Sequence, residues 1–164
     1  MYLVIVFGSL CNTLLISFLG RFLGRQTVIY CCISTLLVLS SLVIFSSTEI
    51  LLNNNTIVVQ LYKLFLINDI HVDIAFLFDQ LTILMLLVVL LISTFVHIFT
   101  NGYMSHDPYI VRFYAFLGFF TFFMIILVTS DNFLQLFVGW EGVGVCSYLL
   151  INFWYNRIMA GRQL

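Results

Sequence analysis

Five stretches of this chain are each long and apolar enough to cross a lipid bilayer, and little sequence remains between them. They cover residues 2–20, 27–48, 80–100, 113–130 and 132–155, about 18 to 24 residues apiece. A helix spans the hydrocarbon core in roughly 20 residues. No water reaches the backbone there, so a crossing segment must satisfy its own amides, as a helix does. Charged residues make up only 8% of the chain. A soluble domain carries about 25%, so this chain could not coat a water-facing surface. The expected fold class is all-α integral membrane, a single membrane domain over 1–164 with five transmembrane helices. Pro108 is the one proline, which favours long unbroken helices.

The first stretch carries no charge before Arg21. A signal peptide would open on basic residues and close on a small-residue cleavage site, so residues 2–20 read as a retained helix. The segment 49–79 differs from the rest. Its apolar run is too short to span and holds Lys63, and His71, Val72, Asp73 and Ile74 alternate polar with apolar. Turn residues stand at Asn53–Asn55 and Asn68–Asp69. An extended hairpin on the membrane surface is expected.

Five crossings put alternate loops on opposite sides. One side then holds a single basic residue, Lys63. The other holds five: Arg21, Arg25, Arg112, Arg157 and Arg162. The positive-inside rule places the N-terminus outside and the C-terminus inside. The net charge is −1 and the sequence shows no basic patch, so no nucleic-acid partner is expected. Cys11, Cys31, Cys32 and Cys146 lie in apolar stretches without metal-site spacing. They read as packing residues, and no metal or cofactor is expected on this chain.

Glu141 is the one charged residue inside the five stretches. It stands roughly 15 Å along a helix from Asp131, about halfway through the core. An ionised carboxylate there costs at least ~2.5 kcal/mol. Gly139, Gly142 and Gly144 surround it. Small residues let a neighbouring helix approach closely, so the carboxylate is expected beside a tight packing stripe, pointing into a helix bundle. Two readings stay open. Glu141 could remain protonated and tie helices together. It could instead exchange protons, since burial favours the neutral acid and a nearby cation favours the anion. Arg112 and Arg157 lie at helix ends, so that cation is expected from another chain.

His97, near the inner end of the third stretch, is either a hydrogen-bonded helix-end residue or a proton relay. His71 and His106 fall in loops and read as solvated. Asp79 and Asp131 precede helices and suit N-terminal capping. Asp107, before Pro108, suits a turn.

Two runs, FLFDQLTILMLLVVLLISTFVHIFTNGYMSHDP and RFYAFLGFFTFFMIILVTSDNFLQLFVGWEGVGVCSYLLINFWYNR, strongly resemble chain 5 of respiratory NADH–ubiquinone oxidoreductase, complex I. The opening FGSL and FLGRFLGR fit that family's first helix. The resemblance implies an antiporter-like membrane-arm subunit that helps to translocate protons in the mitochondrial inner membrane. In the family's GWEGVG run the glutamate is the central-axis proton site, which here is Glu141. NAD, FMN, iron–sulfur clusters and ubiquinone would bind elsewhere in the complex. Members are usually several times longer, so the chain reads as an N-terminal part of a split subunit. A companion chain would carry the remaining helices and the basic partner of Glu141; other membrane-arm subunits and lipids would surround it. Two alternatives are a sodium/proton antiporter subunit and a non-transporting membrane scaffold.

Overall fold

The computed structural model describes residues 1–53, 55–67, 70–105 and 108–154, with the backbone alone at 64–67, 70–72 and 154. Five long helices and one hairpin make up most of the described residues. Helix α1 (Tyr2–Leu23) and helix α2 (Arg25–Asn53) are followed by strands β1 (Ile57–Ile67) and β2 (Ile70–Phe78). Helices α3 (Gln80–Tyr103), α4 (Ile110–Thr129) and α5 (Phe133–Ile151) complete the bundle, and a short 3₁₀ turn spans Asn152–Trp154. All five long helices have the length and composition to cross a bilayer.

The α1–α2 connection is a single residue, Gly24, at φ +81°. Glycine alone adopts that left-handed backbone at no steric cost. Arg25 therefore opens α2 directly beside the end of α1. Helix α2 runs five residues past the expected end at 48, because its outermost turns find partners. Tyr2 donates to the Glu49 carboxylate at 3.1 Å, and Ile50 is fully buried. At 29 residues, α2 is about 44 Å long, enough to project beyond a ~30 Å core.

The hairpin is antiparallel, pairing Ile57 with Phe78 and Ile67 with Ile70, with register shifts at Gln60/Tyr62 and Lys63/Phe65. Its β2 end does more than lie on a surface. Phe76 and Phe78 are buried in the bundle beside Ile5, Val43, Ile83 and Leu86. Tyr2 packs on Phe78 with ring centroids 4.9 Å apart. A second apolar cluster fills the opposite end: Ile16, Ile29, Cys32, Met104, Ile110 and Tyr114. These two clusters lie toward opposite ends of the helices and hold α1–α4 together.

Asp79 caps α3 through a reciprocal box: its carboxylate accepts from the Thr82 amide at 2.7 Å, and its own amide donates to Thr82 Oγ1 at 2.8 Å. At α5 the cap is Asn132, whose Oδ1 accepts from the Gln135 amide at 2.9 Å. Asp131 is exposed one residue earlier, so the capping role expected of Asp131 belongs to its neighbour. Helix α4 starts three residues before the expected position. Helix α5 ends at Ile151, short of the expected 155, where the chain tightens into the 3₁₀ turn. The turns expected at Asn54, Asn68–Asp69 and Asp107, the side chains of His71 and His106, and Arg157 and Arg162 lie outside the described residues.

Candidate functional site

Among the described residues, helix α5 lies at the edge of the bundle and makes its extensive helix packing with α4. The reason is written in its small residues. A Cβ on Gly139 would stand 2.8 Å from the Leu127 Cα, and one on Gly142 would strike the Phe123 ring. Cys146 and Gln135 are buried along the same stripe. Two side-chain contacts then lock the N-terminal end of α5 to the hairpin. Asn132 Nδ2 donates to the Asp73 carbonyl, and the Ala75 amide donates to Gln135 Oε1 at 3.3 Å. Ser130 adds a bridge to Phe76.

This stripe decides where Glu141 points. Successive residues of an α-helix turn by about 100°, so Glu141 stands about 200° around from Gly139 and about 100° from Gly142. The carboxylate is consequently exposed on the face of α5 turned away from α4. The expectation that it points into a helix bundle is not met within these five helices. Val138, Val145 and Tyr148 share its face and are 48%, 57% and 51% exposed. Gly144 faces open space as well: a methyl group added there would meet nothing within 4 Å. Glu141 is the ninth of the 19 residues of α5, about 12 Å from its start, and so near mid-depth. Among the described residues it has no hydrogen bond or ion pair.

His97 occupies the opposite environment. It is 1% exposed, at the contact of α3 with α4. Its Nδ1 lies 2.7 Å from the Ser93 carbonyl oxygen and 3.5 Å from Ser93 Oγ. Ser93 Oγ is 2.7 Å from Thr121 Oγ1 of α4, and the Tyr114 hydroxyl donates to the His97 carbonyl at 2.8 Å. The histidine thus belongs to a short polar chain that links two helices. Ser93, Thr121 and Tyr114 were not singled out in the sequence; a Ser at i−4 from His97 was the one available signal. The structure does not bring His97 and Glu141 together: they lie on helices that meet α4 from different sides.

A basic cluster also appears that the sequence did not announce. Arg21, Arg25 and Arg112 line one cavity where the end of α1 and the starts of α2 and α4 meet. Cys11 and Cys31 are exposed, Cys32 and Cys146 buried, and all four are free.

Residues 64–114 match the family described as NADH-Ubiquinone oxidoreductase (complex I), chain 5 N-terminus. Residues 130–162 match the family described as NADH:quinone oxidoreductase/Mrp antiporter, TM. Similar curated proteins include an NADH-ubiquinone oxidoreductase chain 5 from Trichophyton rubrum, 45% identical over 163 residues, 99% of this chain and 25% of that protein. One of the same name from Marchantia polymorpha is 43% identical over 162 residues, 99% of this chain and 24% of that protein. A protein named probable intron-encoded endonuclease 4, from Neurospora crassa, is 42% identical over 163 residues, 99% of this chain and 30% of its own length. The chain spans about a quarter of the length of the chain 5 relatives it matches. His97 falls within the first matched stretch and Glu141 within the second.

Proposed function

The chain belongs to the complex I chain 5 family, whose N-terminal part it matches, and we propose that it forms part of a proton path in the membrane arm of a respiratory NADH:ubiquinone oxidoreductase. One observation carries this reading. Glu141 stands at mid-depth of α5, on an apolar face that no other described helix covers, inside the stretch that matches an antiporter transmembrane family.

A carboxylate at that depth has two tolerable states. It can be protonated, or it can be ionised beside a cation. The basic partner and the covering helix come from outside the described residues, on the companion chain or another membrane-arm subunit. When that cation withdraws, the protonated form is favoured and Glu141 takes a proton. When it returns, the anion is favoured and the proton passes on. Charge movement in the partner thereby drives proton movement at Glu141. His97, joined to Ser93 and Thr121, is a second candidate station, because hydroxyls and an imidazole can hand protons along a chain.

The membrane is the mitochondrial inner membrane, with the N-terminus toward the intermembrane space and the C-terminus toward the matrix. Redox chemistry on NAD, FMN, iron–sulfur clusters and ubiquinone belongs to other subunits. The match over residues 130–162 is shared with Mrp antiporters; the match over 64–114 and the names of the relatives favour complex I. Replacing Glu141 with Gln in the assembled complex tests the proposal. Proton translocation per NADH oxidised should fall while assembly persists; unchanged pumping in a fully assembled complex overturns it.

A further inference from the structure

We propose that the cavity where the end of α1 and the starts of α2 and α4 meet holds the headgroup of an anionic phospholipid. The cavity has a volume of about 770 Å³. Its rim carries three guanidinium groups: Arg21 in the last turn of α1, Arg25 at the first position of α2, and Arg112 in the first turn of α4. Its wall toward the bilayer is apolar, formed by Ile16, Ala115 and Phe119. A site with cations at the rim and hydrocarbon below has the polarity of a phospholipid, phosphate above and acyl chain beneath.

The fold creates this site from two arginines that are close in sequence and a third that is far from them. Gly24 permits a one-residue turn, which sets Arg25 close to Arg21. Close packing of α1 on α4 brings Arg112 to both: a Cβ on Gly20 would stand 2.6 Å from a Val111 methyl, and Gly118 lies against Thr13. No carboxylate among the described residues lines the cavity. Arg25 Nε is buried without a hydrogen-bond partner, and an unpaired buried donor is unfavourable. Arg112 finds partial company in the Phe116 ring, 5.3 Å from its guanidinium carbon. The N-termini of α2 and α4 both open here, and their dipoles add positive potential. Three cations around one cavity whose lining is otherwise largely apolar call for an anion that carries an apolar tail.

The test uses the full chain, or the membrane complex that contains it, extracted in mild detergent and examined by native mass spectrometry after addition of phosphatidylglycerol or phosphatidylcholine. Each basic residue near a bilayer surface favours an anionic lipid roughly five-fold. Phosphatidylglycerol should therefore be retained over phosphatidylcholine. R21Q/R25Q/R112Q should weaken that retention on the order of 100-fold, while R21K/R25K/R112K keeps most of it. Millimolar inorganic phosphate should not displace the lipid. Equal retention of the two lipids, or retention unaffected in the Gln triple variant, overturns the proposal. So does displacement by phosphate alone, which would mark a free-anion site, or loss of a partner protein without loss of lipid, which would mark a protein contact. If the Gln triple variant does not fold, F119W in the otherwise native chain gives a second measurement. Brominated phosphatidylglycerol should quench the added fluorescence more strongly than brominated phosphatidylcholine; equal quenching overturns the proposal.

Discussion

Adding one methyl group at each of three glycines on α5 should give three different results, although all three lie within six residues. Gly139→Ala places its Cβ 2.8–2.9 Å from backbone atoms of Leu127. Ordinary carbon contacts lie at about 3.5–4.0 Å, so α5 must withdraw by roughly 0.6–1.2 Å. A gap of that size forfeits a quarter to a half of each dispersion contact along the interface. Overpacking of this kind typically costs about 1–3 kcal/mol, which lowers the α4–α5 association constant roughly 5- to 150-fold. Gly142→Ala meets the Phe123 ring. A side chain can rotate aside where backbone cannot, so the cost falls near the lower bound, about 1 kcal/mol. Gly144→Ala meets nothing within 4 Å and gains up to ~1 kcal/mol from helix propensity. SDS titration of the chain in mixed micelles, read by energy transfer between labels on α4 and α5, measures the order. Equal SDS resistance of Gly139→Ala and Gly144→Ala would mean that the α4–α5 contact does not close on Gly139. Glu141 would then not be aimed outward by the packing described.

Other outcomes follow from single contacts. Asn132→Ala should lower stability by about 1 kcal/mol by removing the α5 cap, while Asp131→Ala should be close to neutral; thermal melts of the two variants decide between them. Tyr114→Phe removes the bond to the His97 carbonyl and should cost about 1 kcal/mol, seen as a lower SDS midpoint with unchanged helix content. If His97 relays protons, His97→Phe should slow proton translocation at constant assembly, and Thr121→Val should slow it less; equal activity of both with the native complex removes His97 from the path.

The helices were readable because hydrocarbon leaves the backbone few choices, so length and the absence of charge suffice. The hairpin was readable for a related reason: Lys63 and the short apolar run forbid a sixth crossing, while alternation favours strands. Helix ends were less legible. Glu49 looks like a boundary in sequence, yet Tyr2 reaches it from another helix and α2 continues. At α5, Asp131 and Asn132 are both good caps by type, and the contact of Asn132 with the hairpin carbonyl of Asp73 chooses between them. Glycine content announced close packing but not its direction. Gly139 and Gly142 meet α4, Gly144 does not, and Glu141 falls on the far side. The arginine cavity and the Ser93–Thr121 link join residues from different helices, which no local pattern encodes.

Infrared difference spectroscopy on the assembled, turning-over complex reads the protonation of Glu141 itself. If Glu141 carries protons, a protonated-carboxyl band rises and falls with turnover and is missing in Glu141→Gln. A carboxyl that stays neutral throughout, or stays ionised throughout, contradicts that role.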